Sequence, residues 1–119
     1  MPLTFDLPFE QLQDYMGINP KPADFDRFWD ASLAEMRAIR PEIELVPAAF
    51  QAPGCDCFHL YFNGTQGARV HAKLLKPANI KKSGPALLMF HGYAEDSGDW
   101  VEKLPYVAQG FTVAALDCR

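Results

Sequence analysis

The sequence predicts an α/β fold in which an antiparallel hairpin leads into parallel strands. Three observations carry this. Residues 24–39 repeat apolar side chains at spacings of three and four, the period of an amphipathic helix. Residues 55–62 and 68–77 alternate apolar and polar positions on either side of the turn signal NGTQG at 63–67, as a hairpin does. Two continuous apolar runs follow, PALLMFH at 85–91 and GFTVAALD at 110–117. About twenty residues separate them, enough for a crossover between strands buried in a parallel sheet.

Taken in order, residues 1–23 read as an extended arm. Pro2, Pro8, Pro20 and Pro22 alternate there with Phe5, Leu7, Phe9 and Leu12, and one short turn is expected at 9–15. Its apolar content suits docking. The domain proper is expected over 24–119. Asp24 is placed to cap the first long helix. Phe25, Phe28, Trp29, Leu33, Met36 and Ile39 form its stripe, and Pro41 stops it. That stripe reads as core or subunit packing. EIELVPAAF at 42–50 is a strand whose Pro47 confines it to an edge or a bulge. In the hairpin, Phe58, Leu60 and Phe62 share a face, as do Val70, Ala72 and Leu74. His59 and His71 then occupy the polar-facing positions. Between the two apolar runs, Asp99 can cap a helix from Trp100, Pro105 calls for a kink or a new helix start, and Gly110 ends it.

The composition bounds the function. The chain of 119 residues has one domain's length, with 49% hydrophobic and 22% charged residues. A net charge of −4, with Lys81–Lys82 and Arg37/Arg40 as the basic clusters, argues against nucleic acid. No run is long and apolar enough for a membrane span. The N-terminus has neither a basic region nor an apolar leader core. Three cysteines cannot complete an internal disulfide set. Cys55 and Cys57 form a C-x-C without a second ligand pair, so no metal is expected. These features together point to the cytoplasm.

The chemistry lies at His91-Gly92-Tyr93. A strand followed by His-Gly and a loop is a recurrent oxyanion-hole arrangement in α/β-hydrolases. The loop supplies one backbone N–H and the residue after the nucleophile supplies the other. Gly92 permits a sharp turn and close approach to a ligand. Tyr93 would offer its N–H to a tetrahedral intermediate. His91 reads as a residue that shapes the loop rather than as a base. Ser32, Ser83 and Ser97 all lack the G-x-S-x-G surroundings of a hydrolase nucleophile. No catalytic triad is therefore legible in the chain.

HGYAEDSGDW, followed by KLPYVAQGFTVAALDCR, resembles the carbohydrate esterase family 7 enzymes, the acetyl xylan esterases and cephalosporin-C deacetylases. FDLPFEQLQDY, DFDRFWDASLAE and FNGTQGARVHAKLLKP extend the resemblance from Phe5 to Arg119. It implies the N-terminal portion of an α/β-hydrolase sheet, an incomplete three-layer sandwich. It also implies acetyl removal from xylo-oligosaccharides or cephalosporin C through a serine acyl-enzyme, without metal or organic cofactor. Tyr93 matches the family's oxyanion-hole tyrosine, which also lines the acetyl site. Arg119 matches the arginine that opens an Arg-Gly-Gln motif. The family's Ser, Asp and His correspond to positions beyond Arg119, and its members assemble as hexamers. The expected partners are thus an acetylated sugar or small acetyl ester, the remainder of an esterase chain and further copies of it. A sugar- or protein-binding module, and one chain of a two-chain esterase, are the alternatives. Two helices are too few to cover both faces of about five strands, so an exposed apolar sheet face is also expected.

Overall fold

The computed structural model describes residues 6–78 and 84–118. Arg119, Ser83 and the Lys81–Lys82 pair lie outside the described residues. The chain divides into two units, Met1–Leu33 and Ala34–Arg119.

In the first unit, the short turn expected in the arm is the helix α1, Phe9–Leu12. Gln11 and Leu12 donate their N–H groups to the Pro8 carbonyl. Proline is well placed ahead of a helix, where no intrahelical partner awaits its missing N–H. α2, Phe25–Ala38, starts directly after Asp24 and runs on into the second unit. The Phe28 N–H bonds the Asp24 carbonyl at 2.8 Å. The Trp29 ring meets Phe25 at 6.1 Å and Phe28 at 5.5 Å between centroids. Lys21 pairs with Asp26 at 2.7 Å and lies over the Phe25 ring at 5.0 Å. Phe25, Phe28, Trp29, Leu33 and Met36 are all exposed. The helical period was read correctly, and its apolar stripe faces solvent.

The second unit is built on one five-stranded sheet of order β1-β2-β3-β5-β4. The strands are β1 Glu44–Pro47, β2 Cys55–Asn63, β3 Arg69–Pro77, β4 Ala86–Phe90 and β5 Thr112–Leu116. β1, β2 and β3 pair antiparallel in sequence, and β5 pairs antiparallel with β3. β4 and β5 are parallel. Pro47 lies on edge strand β1, where a missing N–H is tolerated. A 3-10 turn, Thr65–Gly67, closes the hairpin, with Gln66 and Gly67 at φ 55° and 76°. Between β4 and β5, a 3-10 turn at Val101–Lys103 precedes α3, Leu104–Ala108. Pro105 therefore sits in the first turn of a new helix, and Gly110 leaves it at φ 91°. β4 is an edge of the sheet, and the last strand is not. β5 bonds β3 on one side and β4 on the other.

Side chains paired across a sheet share a face. On one face Cys57, Leu75, Val113 and Leu87 stand in one row across the register. α3 covers them through Val107, joined by Leu104, Trp100 and Phe50. The Phe50 and Trp100 rings stack at 6.1 Å. Cys55 and Cys57 are free thiols in this core, with sulfurs 3.5 Å apart. Burial, and then the hydrogen bond and charge of Cys57, push the Cys55 thiol up to about 12, so it is not poised to react.

The other face carries Leu45, Leu60, Ala72, Leu116 and Phe90 across one row. Toward the β4 edge this face stays open, with Leu88 53% and Phe90 65% exposed. Edge strands with such surface invite pairing or cover by another chain. The 119-residue chain is therefore expected to bind a hydrophobic dye and to associate, as read by light scattering after size exclusion. Leu88→Lys with Phe90→Lys should reduce both. A cooperatively unfolding monomer that leaves the dye dark would contradict this account of the face.

Candidate active site

β4 and β5 end at the same level, because Phe90 pairs with Leu116. Ligand clefts of open α/β sheets form outside the carboxyl ends of parallel strands. An open cleft of about 670 Å³ lies at this end, lined by Phe90, His91, Glu95, Ser97, Lys103 and Asp117 among others. Its rim is the loop 91–100.

His91 fixes the start of the loop. The Cys118 N–H donates to His91 Nε2 at 2.9 Å. Nε2 is therefore the acceptor nitrogen, so Nδ1 carries the proton and donates to the Gly92 carbonyl at 2.8 Å. Nε2 thus ties the loop to the segment after β5, and Nδ1 braces the loop's own backbone. The Gly92 N–H is bonded by Glu95 Oε2 at 2.9 Å. A Cβ at Gly92 would stand 3.0 Å from that oxygen, so the glycine leaves room for the carboxylate. Ala94 follows at φ 61°, a left-handed conformation rare for residues with a Cβ.

Tyr93 sits at the crest, fully exposed. Its N–H makes no hydrogen bond among the described residues. Gly92 and Tyr93 thus present one occupied and one open donor side by side.

The far half of the loop is anchored by charge. Asp96 accepts the Gly98 N–H at 2.7 Å and Asp99 accepts the Val101 N–H at 3.0 Å. Lys73 of β3 donates to the Gly98 carbonyl, and buried Lys103 donates to the Asp99 carbonyl at 2.7 Å. The N–H of buried Ser97 donates to Asp117 Oδ1 at 2.7 Å. Ser97 thus bonds Asp117 through its N–H and its hydroxyl.

Asp117 also continues the β3–β5 ladder, its N–H bonding the His71 carbonyl at 3.0 Å. Its Oδ2 lies 2.5 Å from His71 Nδ1. His71 Nε2 in turn lies 2.8 Å from His59 Nδ1. Burial alone would raise the Asp117 carboxyl. The hydrogen bonds from His71 and from the Ser97 N–H and hydroxyl outweigh it and hold the group near 2. His59 is lowered from its ordinary 6.5, first by burial and then by the charges of His71 and Lys73.

This cluster corrects the sequence reading. His59 and His71 were expected on the solvent face of the hairpin. They lie instead on the face that α3 covers, half-buried with Tyr61 and Trp100. Alternation assigns two faces to a strand but does not say which one a helix will cover. Asp117 and the two lysines were missed as site residues. The one local signal was an acidic residue at the carboxyl end of a buried strand.

Similarity to known proteins completes the description. Residues 1–119 match the acetyl xylan esterase family (AXE1). The chain belongs to that family. Acetyl xylan esterase 1 from Thermoanaerobacterium sp. JW/SL YS485 shares 51% identity at a TM-score of 0.89, covering 97% of this chain and 36% of that one. The acetyl xylan esterase from Paenibacillus sp. R4 shares 26% identity at a TM-score of 0.81, covering 95% and 37%. The chain thus spans about a third of the length of these esterases. The α/β fold expected from the sequence is the one these esterases have. Among the described residues, no helix is long and apolar enough to cross a membrane.

The lowered Asp117 carboxyl makes stability depend on pH. Between 3.8 and about 2 the unfolded chain binds more protons at this group than the folded one. Its contribution is fully present above the unfolded value and is lost as pH falls through that window. Chemical denaturation at stepped pH should show this acid slope, and Asp117→Asn should flatten it. An unchanged slope in the variant would place the acid sensitivity elsewhere.

Proposed function

We propose that loop 91–100 is the oxyanion-donor wall of a serine acetylesterase site. The observation that carries the reading is the open Tyr93 N–H, set on a pinned loop at the carboxyl ends of two parallel strands. Attack of a serine hydroxyl on an acetyl carbonyl moves charge onto the carbonyl oxygen. A fixed backbone N–H stabilises that charge without reorganising. The second donor, the nucleophile, its base and the orienting acid come from the length of the esterase that this chain does not span. The phenol of Tyr93 borders the acetyl group, and Gly92 and His91 hold the donor in place. Arg119 opens the motif that supports the site from the next segment. Water then releases acetate from the acyl-enzyme.

The substrates are acetylated xylo-oligosaccharides or cephalosporin C, hydrolysed without metal or organic cofactor in the cytoplasm. Residues 1–23 act as an arm, and residues 24–119 as the N-terminal portion of the hydrolase domain. The exposed aromatic stripe of α2 suits burial between subunits of a homo-oligomer, a hexamer as in the resembled family.

The direct test is a chimera in which these 119 residues replace the matching segment of the Thermoanaerobacterium esterase. It should hydrolyse a small acetyl ester. In it, Tyr93→Phe should retain most of kcat and raise KM. Tyr93→Pro removes the N–H and should lower kcat by roughly 10²–10³-fold. Equal losses from the two changes would show that the backbone donor is wrongly assigned. The 119-residue chain by itself, lacking a nucleophile, should not exceed background hydrolysis. Turnover that scales with its concentration would overturn the reading.

A further inference from the structure

The turn that carries Tyr93 is closed by one residue, through its backbone and its side chain together. We propose that Glu95 is a positioning residue of the esterase site, which braces the turn 92–95 and so aims the Tyr93 N–H. The proposal rests on the acetylesterase reading for its effect on turnover. The bracing itself rests on the geometry of the turn.

Two hydrogen bonds run between Gly92 and Glu95. The Glu95 N–H donates to the Gly92 carbonyl at 3.4 Å, the closing bond of a β-turn. The Gly92 N–H donates to Glu95 Oε2 at 2.9 Å. The first is long for its kind. The second ends on a carboxylate, and bonds to such acceptors are the stronger class. The side chain of Glu95 therefore carries more of the closure than its backbone does.

The turn needs this closure. Tyr93 and Ala94 are its two central residues, and Ala94 stands at φ 61°. A left-handed third position is the mark of a type II turn, where glycine or asparagine is usual. A residue with a Cβ stays there only where its surroundings over-determine it. Tyr93 is fully exposed, so packing of its ring does not hold the turn. His91 fixes where the turn begins, through the Gly92 carbonyl, and Glu95 fixes how it closes. A β-turn closes through the carbonyl of its first residue and the N–H of its fourth. The N–H of its second residue, Tyr93, is left available. With its own N–H taken by the carboxylate, Gly92 does not compete as a donor.

Gly92 is matched to the brace. A Cβ there would meet Glu95 Oε2 at 3.0 Å, Cδ at 3.3 Å and Oε1 at 3.6 Å, and these are its three nearest neighbours. A methyl group at this position would push the carboxylate away from the Gly92 N–H. Gly92→Ala should therefore act through Glu95.

The test uses the chimera described above, with hydrogen exchange at the Gly92 amide and kinetics on a small acetyl ester. Glu95→Ala should lose protection at Gly92. It should also lower kcat between about 10- and 100-fold with little change in KM, a loss typical of small misplacements. Glu95→Gln keeps an amide oxygen to accept the Gly92 N–H and should restore the protection and most of kcat. Gly92→Ala should match Glu95→Ala. The double variant should be no worse than either, because both changes remove the same bond.

Unchanged kcat in Glu95→Ala, a loss confined to KM, no rescue by Glu95→Gln, or losses that add in the double variant would each overturn the proposal. Gly92→Ala displaces the carboxylate without deleting it, and it decides the matter where Glu95→Ala fails to fold. A chimera that is inactive yet shows the expected pattern of Gly92 protection refutes the esterase reading and leaves the bracing intact.

Discussion

A single carboxylate organises this end of the molecule. Asp117 stands one residue beyond β5 and makes four kinds of contact at once. Its backbone N–H extends the β3–β5 ladder, one oxygen takes the His71 ring, and the other takes the Ser97 N–H. The Ser97 hydroxyl adds to these. A half-buried carboxylate without such donors would favour its neutral form. Here the donors win, and the price of desolvation is repaid by a junction between two strands and a loop. The charge-assisted bonds are short, as expected for ionised acceptors.

The loop above it is organised by complementary signs. Its carbonyls at Gly98 and Asp99 receive lysine ammonium groups, while its N–H groups at Gly92, Ser97 and Gly98, and that of Val101 just beyond it, receive carboxylates. Loops are usually the mobile parts of a scaffold. This one has the N–H groups of Gly92, Glu95, Ser97 and Gly98 taken up within the protein, whereas that of Tyr93 is open among the described residues. An open donor in a rigid frame costs little to aim and nothing to reorganise when charge develops beside it.

Much of the fold was legible in the residues. Proline positions gave the edge strand and the new helix start, and NGTQG gave the hairpin. Continuous apolar runs gave the parallel pair. These signals are local, because each depends on what one side chain permits its own backbone. The histidine chain was not legible. His59 and His71 alternate with Phe58, Leu60 and Ala72 exactly as solvent-facing residues would, and their partner Asp117 is far along the chain. The helix that covers their face is also distant in sequence. His91-Gly92-Tyr93 was found through its setting after a strand. The anchors of its loop, Lys73 and Lys103, carry no signature that separates them from ordinary surface lysines.

The strand order has a temporal side. β5 stands between β3 and β4, so β4 has no neighbour to bond when it leaves the ribosome. It must wait while the loop, the 3-10 turn and α3 emerge, and only then does the pairing element arrive. Pairing across such sequence separation is slow compared with hairpin closure. During that interval Leu87–Phe90 is an unpaired apolar strand, the kind of segment that sticks to other nascent chains. The hairpin of β2 and β3 can form first and serve as the template on which β5 lands, carrying β4 in last. Chaperone dependence during synthesis would then track the delay between two short segments rather than the overall size of the domain.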